Sequence, residues 1–291
     1  MNRLPVETRA KILGMLVEGN SLRSCSRLAD VSLNTVTKLL VDLGAACERF
    51  HDERVRNVRV RRLQCDEIWA FVGAKQKNAS PEQKAEGWGD VWTWTGLCAD
   101  SKLCVSYLVG GRSADWAIDF MKDAASRIRG RVQVTTDGHK AYLEAVEEAF
   151  GADVDYAQLQ KIYGASNEPD HRYSPANCIG CEMKTVSGDP DPKHVSTSFV
   201  ERHNLTMRMG MRRFTRLTNG FSKKIENHAA MVAIHAVYYN FARIHKTLRI
   251  TPSMAAGLSD HVWSLEEIVT MADSYAPAPV KRGSYKKKAS Q

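Results

Sequence analysis

Three acidic residues, far apart in the chain, stand where a carboxylate is costly or conspicuous. In RVQVTTDGHKAY (131–142) an apolar run ends in two threonines, followed by Asp137, Gly138 and a short helix start. Asp137 is thereby set at the C-terminal end of a strand, where α/β folds commonly place ligands and reacting groups. Asp66 falls midway along LQCDEIWAFVGAK, among apolar and aromatic residues. A carboxylate inside such a strand is expensive to bury unless it is paired, hydrogen-bonded or bound to metal. Its neighbour Glu67 points to the opposite face by strand alternation, so only one of the two is expected in a given site, and Asp66 is assigned. Glu201 opens a helix in STSFVERHNLTMRMGMRRFTRL, with Asn204, Arg208 and Arg212 on the same stripe. A carboxylate followed by cations on one face suits a site that takes metal at one end and phosphate at the other.

Two or three carboxylates can hold a pair of divalent ions about 3.5–4 Å apart, which activate an attacking water or hydroxyl and stabilise the leaving oxygen of a phosphodiester. Hard oxygen donors favour Mg²⁺ or Mn²⁺ over Zn²⁺. Each acid also has a plain structural reading: Asp66 on an edge strand, Asp137 as a turn former before glycine, Glu201 as a helix N-terminal acid. Their joint occurrence in this order of elements favours the site.

The elements that must position them follow from periodicity. LQCDEIWAFVGAK, DVWTWTGLCAD and KLCVSYLVGG read as three strands, the last two close enough for a hairpin. A helix over 113–128 follows, then strand RVQVTTD, a helix over 139–150 and strand VDYAQL. Residues 162–197 are polar and rich in Pro, Asn, Asp and Gly, and read as a long loop. Helices are then expected over 198–217, over 224–245 and from Ser264. Trp92 and Trp94 share a strand face, which favours core packing over base stacking. The order is three strands, helix, strand, helix, strand, that of an α/β protein; the mixed sheet flanked by helices is what the resemblance given below implies.

Ahead of it, residues 6–47 alternate helical patterns with short breaks. Ser21 caps a short helix to Ala29, Asp30-Val31-Ser32 makes a turn, and a third helix begins at LNTVTKLL. This is a helix-turn-helix pattern, and Asn34, Thr35, Thr37 and Lys38 are the side chains placed to reach base edges or phosphates. A plain three-helix packing unit is the alternative. The expected organisation is an all-α helix-turn-helix domain over 1–50, a basic linker over 51–62, the α/β domain over 63–272 and a disordered basic tail over 273–291.

The chain has 291 residues, with 41 basic against 33 acidic side chains and a formal charge of +8. Such a balance favours a polyanionic partner, nucleic acid being the commonest. Seven scattered cysteines fit a reducing compartment. The N-terminus lacks signal-peptide character and no run is long and apolar enough for a membrane span, so a cytoplasmic, nucleoid-associated protein is expected. Cys178-Ile-Gly-Cys181, with His171 and His194 nearby, is a weak zinc candidate. No G-x-S-x-G or Walker-type loop is present, which excludes the common serine-hydrolase and nucleotide-hydrolase patterns.

The element order, with Asp on the first strand, Asp after the fourth and Glu on a later helix, resembles the RNase H-like fold of DDE transposases and retroviral-type integrases. The strings CDEIWAFVGAKQKN, GDVWTW, TTDGHKAY, STSFVERHNLTMRMGMRRFTRLTNGFSKK, ENHAA and YYNFARIHKTLRITP are similar to the family of insertion-sequence-one transposases, over roughly residues 60–270. The resemblance implies an acidic triad of Asp66, Asp137 and Glu201 as catalytic metal ligands, with Arg208 as the basic residue that recurs seven positions after the glutamate. It further implies cleavage at the ends of a mobile element, joining of the 3′-hydroxyl to target DNA, two Mg²⁺ ions (Mn²⁺ substituting), and homo-oligomers acting on double-stranded DNA at terminal inverted repeats. Lys140, Arg212, Arg243 and Lys246 are then expected phosphate contacts. Many members carry a zinc finger ahead of the helix-turn-helix; this sequence starts without one, which would leave end recognition to residues 6–47 or mark a shortened copy. A structure-specific nuclease on the same fold, or a helix-turn-helix repressor with a decayed catalytic domain, are the alternative functions.

Overall fold

The computed structural model describes residues 3–164, 178–215 and 218–276. Three helices open the chain: α1 (Val6–Val17), α2 (Leu22–Ala29) and α3 (Leu33–Arg54). Ser21 and Ser32 cap α2 and α3 by accepting from the amides of Ser24 and Thr35. Asp30, between them, adopts the left-handed conformation that turns the chain.

The sheet is mixed and six-stranded, in the order β3-β2-β1-β4-β5-β6. At its centre β1 (Arg62–Val72) runs antiparallel to β2 (Gly89–Cys98), which pairs antiparallel with β3 (Cys104–Gly110). The one-turn helix α4 (Pro81–Ala85) lies between β1 and β2. On the other side β1 is parallel to β4 (Val132–Thr136), itself parallel to β5 (Val154–Tyr163), and β6 (Cys178–Ser187) closes the edge antiparallel to β5. Helices α5 (Ala114–Arg127) and α6 (Ala141–Phe150) cover one face. The other face carries α7 (Ser198–Gly210) and α8 (Ile225–Val237), followed by the short α9 (Pro252–Ala255) and by α10 (Leu265–Ser274). This is an RNase H-like mixed sheet flanked by helices, as the resemblance implies.

Alternation along β1 divides its side chains between two cores. Leu63 and Cys65 pack toward α5 and α6, whereas Ile68, Ala70 and Val72 pack toward α3, α7 and α8. The second core is continuous with the first three helices. Gly44 of α3 lies so close to Ala230 of α8 that a Cβ would stand 2.4 Å from the alanine Cβ. Arg9 of α1 holds both carboxylate oxygens of Asp273 in α10.

Several boundaries differ from those expected. Helix α3 continues through residues 51–54, and Val55, Val58 and Val60, in the stretch read as a linker, are buried against α5 and α6. The stretch read as a loop from 162 contains the end of β5 and all of β6, whose side chains are almost uniformly exposed; an edge strand of this kind carries no alternating signal. Helix α7 stops at Gly210 rather than at 217, because Met211 turns extended and buries itself. Regular α8 ends at Val237 and passes into a π-turn over Tyr238–Ala242, where the Asn240 side chain bonds both backbone groups of Cys104. Helix α10 runs two residues past 272. Most of the expected basic tail, from 277 on, lies outside the described residues, as do His171, Arg216 and Leu217. Among the described residues no helix is long and apolar enough to cross a membrane.

Candidate active site

Parallel pairing of β1 with β4 brings two of the acids level. Leu63 faces Val134 and Gln64 faces Thr135, so two residues further on Asp66 comes opposite Asp137, just past the end of β4. Because β4 stops at Thr136 while β1 continues, the two carboxylates meet at the rim of the sheet.

Asp66 is held from α7. Its Oδ2 accepts a 2.8 Å bond from the Asn204 amide, and the Asn204 Oδ1 accepts in turn from Thr95 Oγ1 at 2.9 Å. Thr95 is the cross-strand partner of Asp66 on β2. Gln64, on the same face of β1, accepts from the amides of Phe199 and Val200 and fixes the first turn of α7. Asp137 folds back onto the His139 amide at 3.0 Å, an Asx turn that leads the chain into α6.

Glu67 departs from expectation. Alternation does send it to the α5/α6 side, where Arg112 donates to its Oε1 at 2.6 and 2.9 Å and the Tyr142 hydroxyl donates to Oε2 at 3.2 Å. Yet Asp66, Glu67 and Asp137 each offer a carboxylate oxygen within 4.8 Å of the other two. Alternation fixes the direction of Cβ, but the longer glutamate side chain carries its oxygens back to the rim. Burial, then repulsion from Glu67 and Asp137, pushes the Asp66 carboxyl up to about 7. Burial and Asp137 likewise raise Glu67, against the pull of Arg112. Three crowded carboxylates with one guanidinium among them form a donor set that a hard divalent cation would neutralise.

Glu201 is one turn before Asn204 on α7, on the side facing the sheet rim. Its Oε1 accepts from Thr197 at 2.6 Å and its Oε2 pairs with Lys161 of β5. It is not among the three acids whose oxygens converge. Arg208 is exposed on the last turn of the same helix. Arg212 has left the stripe, because the helix ends before it. It lines a cleft of about 610 Å³ with Ser21, Arg23, Asn219, Gly220 and Lys223.

Of the remaining residues, Lys140, Arg243 and Lys246 are exposed. Asn34, Thr35, Thr37 and Lys38 lie on the first turns of α3. Thr35 bonds Ser32, Thr37 donates to the Leu33 carbonyl, and Lys38 pairs with Asp42; Asn34 is exposed. Cys178 and Cys181 are exposed thiols on β6, and among the described residues no set of three metal-binding groups includes them.

The sequence matches no protein-family model and no curated protein. Among solved structures it is similar to a piggyBac transposase synaptic complex with hairpin DNA, at 11% identity and a TM-score of 0.42, over 95% of this chain and 73% of that one. A Mos1 transposase paired-end complex with the left transposon end matches at 15% identity and a TM-score of 0.21, over 53% and 60% of the two chains. A pre-cleavage Mos1 transpososome matches at 11% and 0.27, over 81% and 78%. Likenesses this loose decide nothing about the chemistry of this chain.

Proposed function

We propose that this chain is a metal-dependent DNA transposase of the insertion-sequence-one type, cleaving the ends of a mobile element and joining the 3′-hydroxyl to target DNA. The observation that carries the reading is the convergence of Asp66, Glu67 and Asp137, whose carboxylate oxygens come within 4.8 Å of one another just beyond the β1–β4 pairing. The motif strings around these residues, the basic charge and the RNase H-like sheet agree with it.

Divalent ions, Mg²⁺ or Mn²⁺, would activate the attacking water or hydroxyl and stabilise the leaving oxygen. Asp66 and Asp137 are the primary ligands. Asn204 and Thr95 keep the Asp66 carboxylate turned toward Asp137, and Arg112 with Tyr142 does the same for Glu67. Glu201 would join the set if a metal ion replaced Lys161 at its carboxylate, and the Lys161 ammonium would then be available to phosphate. Arg208 then positions the phosphodiester, while Arg212, Lys140, Arg243 and Lys246 hold flanking phosphates. The first three helices recognise the inverted repeats through Asn34, Thr35, Thr37 and Lys38, and the protein works as a homo-oligomer on paired ends at the nucleoid.

Asp66→Asn should abolish metal-dependent cleavage and strand transfer, by roughly 100-fold or more, while duplex binding is retained. Unchanged end joining by this variant would overturn the reading. A nuclease on the same fold would use the same acids; joining of pre-cleaved ends to a target separates the two.

A further inference from the structure

Past Glu67, the residues of β1 on the α5/α6 face lie outside the core that those helices form with the sheet. They are aromatic. Trp69 faces Trp92 across the β1–β2 pair, and Phe71 follows. Ser222 bridges Val72 along the otherwise open edge of β1 and sets Phe221 beside Phe71, with ring centroids 4.7 Å apart. Trp69 lies 5.8 Å from Phe71. Trp92, read from the sequence as core, is only half-buried; Trp94, two residues on, is the fully buried one, packed on Phe120 and Tyr142. Among the described residues three cations lie over this shelf: Lys75 over Trp69 at 5.8 Å, Arg112 over Trp92 at 4.3 Å and Lys223 over Phe221 at 3.6 Å.

The shelf is tied to the acids and to the basic cleft. Arg112, stacked on Trp92, is the same guanidinium that holds Glu67. Trp69 follows Glu67 by two residues on the same face, roughly 7 Å along the strand. At the other end Lys223 also lines the cleft with Arg23 and Arg212.

We propose that this shelf binds about two or three unpaired nucleotides next to the scissile phosphate, their bases stacked on Trp92, Trp69 and Phe221 and their phosphates running into the Arg23–Arg212–Lys223 cleft. Base pairs inside a duplex present their edges to a protein, whereas aromatic rings take bases by their faces, so the occupant has left the helix. Cations over the rings fit the same occupant: each exchanges a ring face for a phosphate as a base slides in. A surface that served only to close the sheet would have no use for three cations held over its rings. The inference rests on the proposed action on DNA and adds the state of that DNA: melted or frayed beside the cut.

The test uses the full chain without divalent metal and two fluorescent probes, a blunt duplex and the same duplex carrying a short single-stranded extension with 2-aminopurine. The wild type should bind the extended probe about 10-fold more tightly and quench the 2-aminopurine by stacking. Trp92→Ala should remove both preference and quenching while blunt-duplex affinity stays unchanged; Trp92→Phe should retain them. Lys223→Gln, at an exposed side chain, should weaken the extended probe with a shallower salt dependence and no change in melting temperature. A wild type that binds duplex but ignores the extension, or a Trp92→Ala that keeps its preference, overturns the shelf and leaves the transposase reading standing. A wild type that binds neither probe overturns both.

Discussion

Asp66 and Asp137 on one side, and Glu201 on the other, are held in two different ways. Asp66 takes its place from hydrogen-bonded pairing of β1 with β2, and Asp137 from the turn just past β4, where its carboxylate accepts from the His139 amide. Glu201 rides on a helix docked from the opposite layer, and its carboxylate is engaged by Thr197 and Lys161. One part of the centre is thus built before any ligand arrives, while the other waits on an exchange of partners. A rigid half and a releasable half suit a reaction in which a charged DNA strand must enter before the second cation is held.

The widest separation between the halves should appear in metal titrations. Asp137→Asn should lose all measurable Mn²⁺ binding by calorimetry, whereas Glu201→Gln should keep one site at near wild-type affinity and still lose cleavage by roughly 100-fold. Equal loss of binding in the two variants would mean that the halves are not distinct. A smaller effect is expected from the bracing side chain. Asn204→Ala leaves the acids in place but frees Asp66 to rotate, and should cost roughly 10-fold in metal affinity, the usual scale for a partner that orients a ligand. An affinity equal to wild type would assign Asn204 to packing alone.

The smallest effect is on stability without metal. The Asp66 carboxyl is raised from its ordinary 3.8 to about 7 by burial and by its acidic neighbours. The folded state therefore binds a proton that the unfolded chain releases between these values. The contribution of Asp66 to stability should be greatest at about pH 4 and fall as pH rises toward 7, while the buried His51, His203, His228 and His235, whose pKa values burial lowers, act in the opposite sense. Asp66→Asn should flatten that slope and raise the melting temperature at pH 8 by roughly 2–5 °C. Mn²⁺ should do the same for the wild type and nothing for the variant. A melting-temperature difference between Asp66→Asn and wild type that does not grow from pH 4 to pH 7 would contradict the crowding of the acids.

The two aspartates were legible because each breaks a local pattern: Asp66 interrupts an apolar strand, and Asp137 ends one before glycine. That they meet was not, since the β1–β4 offset is fixed only when the sheet assembles. Alternation alone excludes Glu67, but that rule gives the direction of Cβ and says nothing of how far a longer side chain reaches. Asn204 was visible on the Glu201 stripe, but its bond to Asp66 depends on how α7 docks. The stripe is shorter than its composition suggests, because residues 211–217 carry a helical composition while the buried Met211 pulls the backbone out of the helix. Trp92 and Trp94 are alike in sequence; only the limit of the α5/α6 core separates a core residue from a half-open one.

Gly44 meets Ala230 with no room for a methyl group, and the apolar layer runs unbroken from the first helix to the last described one. The three leading helices and the sheet domain should therefore melt as one cooperative body. Recombination that swapped the leading helices for those of another protein would have to bring a matching surface for α8, so the three leading helices and the sheet domain are inherited together.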